Sequence, residues 1–154
     1  KAVFMSSVAV QTEQQGVHYR YYEGMFSQVA DIAKGRFVSQ GTMPEPSIAD
    51  APEEDHFGYV FEGLIRIPER GVWEFMTKSD DGSVLLIGGR RVVDNDYSHA
   101  SVAASGRVAL EAGLHSYTLL YFEDYEGQDL SWGWKAPGAA DFEPIPAENL
   151  LLGK

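Results

Sequence analysis

The sequence predicts an all-β fold, an antiparallel β-sandwich or barrel of about ten short strands. Eight tyrosines, eight phenylalanines and three tryptophans stand among 16 glycines, a combination typical of strands joined by many turns. Short stretches with alternating apolar residues recur at the spacing of a sandwich or barrel. No segment of the chain has a strong helical pattern.

Residues 16–67 contain two predicted strands. Aromatic residues alternate over residues 16–24, which predicts the first strand, and residues 26–35 could form a helical turn. Residues 41–55 contain three prolines and five acidic residues, which predicts a long surface loop. Apolar side chains share one parity over residues 57–67, the pattern of a half-buried strand.

The middle of the chain predicts two hairpins. Residues 68–71 form a turn with proline to set φ and glycine to close it, and residues 72–77 are the return strand. Residues 84–87 are apolar on both parities, which predicts a strand buried on both faces. The Gly-Gly pair at 88–89 predicts a two-residue turn, and residues 90–95 complete the second hairpin.

The last third continues the β pattern. We expect residues 106–110 and 114–123 to form another hairpin, followed by a loop over residues 124–129. Residues 130–135 place a leucine and two tryptophans on one face of a strand. Turns and short edge strands over residues 136–146 close the domain.

Composition limits the classes of partner. A chain of 154 residues fits one domain, and we expect residues 1–154 to be a single module cut from a longer protein. A net charge of −11 argues against nucleic acids and anionic membranes, and is compatible with cations or neutral sugars. The absence of cysteine excludes disulfides and thiolate metal sites. No apolar run approaches the ~18 residues of a transmembrane helix.

The chain lacks the motifs of common enzymes, so we do not expect a catalyst. It has no G-x-S-x-G elbow, no H-E-x-x-H pair and no glycine-rich phosphate loop. The four histidines are scattered, and each is expected to be structural: His18, His56, His99 and His115.

The stretch from Ser79 to Ser83 places Asp80 and Asp81 side by side between two strands. In an extended trans backbone the two side chains point to opposite faces, as in a solvated turn. In a bulged or cis backbone they project to one side and need a cation between them. Calcium takes about 6–8 oxygen ligands, so an open position could accept sugar hydroxyls. Adjacent acids are too close for glycoside hydrolysis, which needs carboxyl groups ~5 Å or more apart.

A second acidic cluster, Asp94-Asn95-Asp96, follows the second hairpin. The two aspartates would share a face in an extended backbone. The cluster does not match the twelve-residue calcium loop pattern. An Asx turn that ends the hairpin is the favoured interpretation, with a functional cluster as the alternative.

Several motifs resemble the PA14 module, the domain named after anthrax protective antigen. Residues 71–95 resemble its central signature, an aromatic strand followed by Ser-Asp-Asp-Gly, an apolar strand, a glycine turn and Val-Val-Asp-Asn. Residues 106–138 resemble its tail, with an aromatic-Glu pair, a glycine loop, Leu-x-Trp and Pro-Gly. Residues 16–24 and 145–150 resemble its opening strand and closing Ile-Pro segment. The likeness covers residues 16–152.

The resemblance implies an antiparallel sandwich or barrel with a calcium and sugar site. In yeast adhesins of this family the Asp-Asp pair is joined by a cis peptide and holds calcium against sugar hydroxyls, a role that maps onto Asp80 and Asp81. The facing loop supplies an Asn in the adhesins, but here it reads Glu123, Asp124 and Tyr125. Glu123 or Asp124 would replace the missing oxygen donor, and Tyr125 is the candidate for stacking on a sugar.

The resemblance also implies a function. The module would be a non-catalytic carbohydrate-binding part of a bacterial glycoside hydrolase that is secreted, periplasmic or on the cell surface. Its partners would be a glycan and a neighbouring catalytic domain of the same chain. In the alternative, the module is architectural and shapes the substrate pocket of that domain without sugar affinity of its own. Trp134 stands at the core position of the family and Trp132 shares its face, so both are expected in the core.

Overall fold

The structure is a two-layer β-sandwich, which confirms the predicted fold class. The computed structural model describes residues 2–9 and 14–153, whose strands form two antiparallel sheets and not a closed barrel. The strands are β1 (Val17–Glu23), β2 (Arg36–Met43), β3 (Phe57–Ile67), β4 (Gly71–Asp80), β5 (Ser83–Ile87), β6 (Arg90–Asn95), β7 (Val102–Leu110), β8 (Gly113–Glu123), β9 (Asp129–Lys135), β10 (Glu143–Pro144) and β11 (Leu150–Leu151). Two short 3₁₀ helices cover Val29–Lys34 and Ala147–Asn149.

The two sheets differ in size and divide the chain unevenly. The larger sheet has the order β2-β1-β3-β8-β5-β6, and β11 pairs with β3 beside β1. The smaller sheet has the order β10-β9-β4-β7. The segments before β1 and around β11 run antiparallel, since Gly16 N–H donates to Leu150 O at 3.0 Å and Leu152 N–H to Gln14 O at 2.9 Å. No helix of residues 2–9 and 14–153 is long and apolar enough to cross a membrane.

The main core lies between the two sheets. The β3 side chains that enter it are the ones that the alternating sequence pattern predicts. Phe61 and Ile65 are fully buried there. Trp73 of β4 and Trp134 of β9 close the core from the smaller sheet, with ring centroids 4.8 Å apart. Trp132 packs on the same core but stays partly exposed. The predicted core position is therefore confirmed for Trp134, and for Trp132 in part.

A second cluster covers the outer face of the larger sheet. The first 3₁₀ helix lies on this face, close to the helical turn predicted for residues 26–35. The buried members of the cluster are Phe26, Val29, Ile32, Val60, Val84 and Phe122. Strand β5 therefore buries Val84 outward under the helix and Leu85 inward in the main core, as its apolar pattern on both parities predicts.

Two of the three predicted hairpins are wrong. Strands β3 and β4 lie in different sheets, and so do β7 and β8. β3 already pairs with β1 and β8, so neither of its edges is open to β4, which pairs instead with β7 and β9. The hairpin of β5 and β6 is confirmed. Its turn residues Gly88 and Gly89 have φ of 58° and 81°, the positive values that favour glycine in such turns.

Strand β2 was not predicted, because residues 41–55 and their surroundings lack an alternating pattern. This strand is the edge of the larger sheet, and its side chains are exposed or half-buried on both faces. An edge strand that buries neither face has no reason to alternate apolar and polar residues. The predicted surface loop therefore begins only after Met43.

Candidate functional site

Three carboxyl groups converge where the strands β4 and β8 end. Asp80 ends β4, Asp81 follows it, and Glu123 ends β8. The peptide bond between Asp80 and Asp81 is cis, one of the two backbones that would bring their side chains together. Carboxylate oxygens of Asp80, Asp81 and Glu123 lie within 4.8 Å of one another. We call these residues the three-carboxylate cluster.

Asp81 is held by two loops through its carboxylate. Its Oδ1 accepts a hydrogen bond from the backbone N–H of His99 at 3.0 Å, and its Oδ2 accepts one from Asp124 N–H at 2.7 Å. Only 5% of Asp81 is exposed. The Asp81 carboxylate therefore joins the loop after β6 to the loop after β8, in addition to any role as a ligand.

Asp80 lies beside the same group but makes different contacts. Its backbone carbonyl accepts a hydrogen bond from the Tyr121 hydroxyl at 2.5 Å. Burial, and then the charges of Asp81 and Asp129, raise the pKa of the Asp80 carboxyl, and His99 opposes this. A Cβ at Gly127, whose φ is 83°, would stand 2.8 Å from Asp80 Oδ2. Glycine at 127 therefore lets the loop after β8 approach the Asp80 carboxylate closely.

A network of buried polar side chains contacts the backbone of the aspartate pair. The Ser79 hydroxyl donates to Asp81 O at 2.8 Å and lies 2.7 Å from the Ser83 hydroxyl, which donates to Thr77 at 2.9 Å. The Asn95 amide donates to Val102 O at 2.9 Å and reaches the same network. This network was not predicted from the sequence. The sequence feature that could have indicated it is the presence of polar Thr77 and Ser79 at β4 positions whose side chains point into the core.

Glu123 is fully buried and has no hydrogen-bond donor within the described residues on either carboxylate oxygen. Burial is the main cause that raises the pKa of Glu123 to about 9, followed by the charge of Asp81. The charges of Asp80 and Asp55 add to this effect. Without a cation, Glu123 is therefore protonated at neutral pH.

Glu123→Gln is expected to stabilise the metal-free protein by about 1–3 kcal/mol at alkaline pH. The folded-state pKa of Glu123 lies above its ordinary value of 4.5, so its contribution to stability is complete below that value and is lost as pH rises through about 9. Urea midpoints of both proteins in EDTA should differ little near pH 5 and diverge by about pH 9. Parallel curves over this range would contradict the assignment.

The rim of the site is aromatic and acidic. Tyr125 is 56% exposed and stands edge-on to His56, with ring centroids 4.7 Å apart. The Asp124 carboxylate lies 3.5 Å from His56 Nδ1 and 3.4 Å from the Ser98 hydroxyl, outside the three-carboxylate cluster. Tyr97 of the loop after β6 is 61% exposed. Tyr97 and Tyr125 are thus the exposed rings of the two loops that Asp81 joins.

The long loop before β3 braces the loop that carries Tyr125. Asp55 Oδ1 accepts a hydrogen bond from Glu126 N–H at 3.1 Å, and Gln128 donates to Glu54 O. The sequence predicted only a surface loop over residues 41–55, of which residues 44–55 follow β2. Their contacts with the facing loop place them next to the site.

The remaining sequence candidates have structural contacts. His18 Nε2 lies 3.0 Å from Leu152 O, and His115 Nε2 lies 2.8 Å from Glu111 O. His56 and His99, by contrast, border the site. They do so by position rather than through any sequence spacing.

The second acidic cluster forms the favoured Asx turn, since Asp96 N–H donates to Asp94 Oδ1 at 3.3 Å. Asp96 Oδ1 also accepts a hydrogen bond from Val29 N–H at 2.9 Å. This contact fixes the first 3₁₀ helix on the outer face of the larger sheet. The structure therefore gives Asp96 an anchoring role.

The donor set suits a hard cation. The three-carboxylate cluster offers only oxygen atoms, the ligands that calcium prefers. Among residues 2–9 and 14–153, none donates to the two carboxylate oxygens of Glu123, and a buried charge without a partner is costly. A divalent cation would supply the missing partner, so the residues present fit calcium.

A family model described as the PA14 domain matches residues 13–148 of this chain. No curated protein matches the sequence. Among solved structures, an anti-sigma factor domain-containing protein is similar at a TM-score of 0.76 and 21% identity, over 92% of this chain and 49% of that chain. This chain thus spans about half of that protein.

Two further solved structures match over nearly their whole length. A PA14 sugar-binding domain from an RTX adhesin is similar at a TM-score of 0.73 and 16% identity, over 91% of this chain and 99% of that chain. The Epithelial Adhesin 6 A domain from Candida glabrata, in complex with Galb1-3GlcNAc, is similar at 0.70 and 13% identity, over 95% of this chain and 90% of that chain. At these identities the likeness shows a shared fold.

Proposed function

The chain belongs to the PA14 domain family, and from this premise we propose that it is a non-catalytic carbohydrate-binding module of a secreted bacterial glycoside hydrolase. The observation that carries the proposal is the three-carboxylate cluster, in which a buried Glu123 faces Asp80 and Asp81 and receives no hydrogen bond from the part of the chain that the structure describes. Such a group is suited to ligand binding more than to fold stability. The sugar-binding domain of the RTX adhesin and the sugar complex of the yeast adhesin have the same fold.

Calcium is the proposed cofactor, held by Asp80, Asp81 and Glu123. When bound, calcium supplies positive charge and open coordination positions for the hydroxyls of a sugar. The chain's own groups do the rest. Asp124 and His99 orient the Asp81 carboxylate through their backbone N–H groups, and the Tyr121 hydroxyl fixes the Asp80 carbonyl.

The rim supports a neutral glycan as the ligand. Tyr125 is exposed enough to pack on a sugar ring, and its edge contact with His56 limits its motion. The Asp124 side chain is the proposed acceptor for sugar hydroxyls beyond the cluster. The acidic side chains around the cluster repel sulfated and carboxylated glycans, so selectivity for uncharged sugars follows from the same residues.

A glycan array tests this function directly. In millimolar calcium the protein should bind a set of neutral glycans with affinities of about 1 mM to 1 μM. Tyr125→Ala should weaken that binding about tenfold, because a stacked ring contributes roughly 1–1.5 kcal/mol. Asp80→Ala should abolish it. Loss of binding in EDTA would tie it to the cation, and a blank array would count against the proposal.

An architectural role is the second candidate, supported by exposed apolar side chains on and beside the outer strands of the larger sheet. Met25 is 72% exposed and Phe37 50% exposed, and Phe37 stacks edge-on with Tyr22 on the edge of the larger sheet. Exposed apolar groups of this kind are suited to a neighbouring domain of the same chain. In this case the array is blank, and Phe37→Lys in the full-length hydrolase changes its kinetics while Asp80→Ala does not.

A further inference from the structure

We propose that a pocket on the outer face of the smaller sheet binds a small organic carboxylate, at a site separate from the three-carboxylate cluster. The pocket has a volume of about 270 Å³ and is bounded by β4, β7, β9 and the turn after β9. Glu74 lines it and Asp80 lies six residues further along β4. At about 3.3 Å per strand residue the two sites are about 20 Å apart.

The pocket carries a local positive charge in an acidic protein. Arg107 Nε and Lys135 Nζ each lie 3.6 Å from Glu74 Oε1, and the Ser105 hydroxyl donates to Glu74 Oε2 at 3.0 Å. The hydrogen bond from Ser105 and the charges of Lys135 and Arg107 lower the pKa of Glu74, so it is ionised at neutral pH. Two cations therefore share one carboxylate, in a chain whose net charge is −11.

The two cations are arranged differently, and the difference suits ligand capture. The Lys135 side chain is 26% exposed, and its Nζ lies 4.5 Å from the centroid of the Phe142 ring, so the ring and Glu74 hold the ammonium in place. The Arg107 side chain is 75% exposed and contacts Glu74 through Nε. Its terminal nitrogens remain accessible to a ligand. A planar guanidinium matches a carboxylate with two parallel hydrogen bonds.

The other walls leave room for the carbon body of the ligand. Val72 is 42% exposed at one side of the pocket. Ala136, Gly138 and Ala139 form the other side, and a Cβ at Gly138 would have no neighbour within 4 Å among the described residues. Small side chains beside a fixed ammonium and an accessible guanidinium describe a site for a compact acid. An acidic monosaccharide and a simple organic acid share this chemistry.

Titration with sodium glucuronate at low ionic strength, followed by amide NMR shifts, tests the site. Glucuronate should shift the amides of Gly138, Ala139 and Val72, while glucose at equal concentration should not. Arg107→Gln should weaken binding about tenfold, the effect of one charge-assisted hydrogen bond. Sodium acetate identifies the source of the ligand. A weaker response to acetate assigns the site to acidic sugars, and an equal response assigns it to small acids in general.

Glu74→Gln is the sharpest variant because it predicts a gain. Removal of the internal counter-ion frees both cations, so glucuronate should bind several-fold more tightly to this variant. Lys78→Gln is the matched control, since Lys78 is an exposed cation on the same face of β4. It should leave the affinity unchanged to within about twofold. Equal loss in Lys78→Gln and Arg107→Gln, a weaker Glu74→Gln, or shifts scattered over the surface would overturn the proposal.

Discussion

Asp81→Ala is expected to lower the free energy of unfolding by about 3 kcal/mol in EDTA, before any ligand is considered. The reason is that the Asp81 carboxylate accepts hydrogen bonds from the backbone N–H groups of His99 and Asp124. Both donors lose a charged acceptor, and each such bond contributes about 1.5–3 kcal/mol. Thermal unfolding in EDTA should show a drop in Tm of roughly 10 °C for a domain of this size.

Asp80→Asn is the matched control, because its carboxylate belongs to the same cluster but receives none of those backbone bonds. In EDTA it should be as stable as the native protein or more so, since it removes a negative charge beside Asp81 and Glu123. Calcium at about 100 times its Kd should stabilise the native protein by about 2.7 kcal/mol. Both variants should lose that response. A calcium shift retained in Asp80→Asn would contradict the proposed ligand set.

Gly106→Ala is expected to destabilise the fold by about 3 kcal/mol. Gly106 lies on β7, and a Cβ there would stand 1.8 Å from the carbonyl oxygen of Val92 on β6. Because the obstacle is backbone, no side-chain rotation relieves the contact, and β6 and β7 must separate where the two sheets meet. Urea unfolding of the native protein and of Gly106→Ala, at one protein concentration, measures the change.

Gly89→Ala separates lack of space from backbone conformation. Gly89 has a φ of 81°, where alanine is strained, but a Cβ there would meet no atom of residues 2–9 or 14–153 within 4 Å. Its substitution should cost about 1–2 kcal/mol, less than that of Gly106. The steric account of Gly106 fails if the two variants unfold at the same urea concentration.

Local sequence patterns predicted where the strands lie better than they predicted which strands pair with each other. The apolar side chains at alternate positions of residues 57–67 predict which face of that strand is buried, and the Gly-Gly pair at 88–89 predicts a tight turn. The structure has both. The same kind of short turn at 68–71 was interpreted as a hairpin. It instead carries the chain from one sheet to the other. Whether a strand has a free edge depends on β1 and β8, which are distant in sequence, so no local signal could decide it.

The candidate site shows the same division between local and distant information. Asp80 and Asp81 were found because neighbouring acids between two strands are unusual, and the resemblance added Glu123. The contribution of His99 comes from a backbone N–H, which no side-chain pattern reveals. Thr77 and Ser79 could have been found, because they continue the inward parity of the strand with polar groups that require buried partners.

The pairing of the segments before β1 and around β11 has a mechanical consequence. Gln14 and Leu152 are hydrogen-bonded neighbours in antiparallel segments. Opposite forces applied to these two residues therefore break the hydrogen bonds between the segments one after another. β1 runs from Val17 at this end to Glu23, which pairs with Phe57 beside Glu123. At about 3.3 Å per residue, the carboxylates lie about 20 Å from the point of load. A pull on Gln14 and Leu152 therefore reaches the ligand site last.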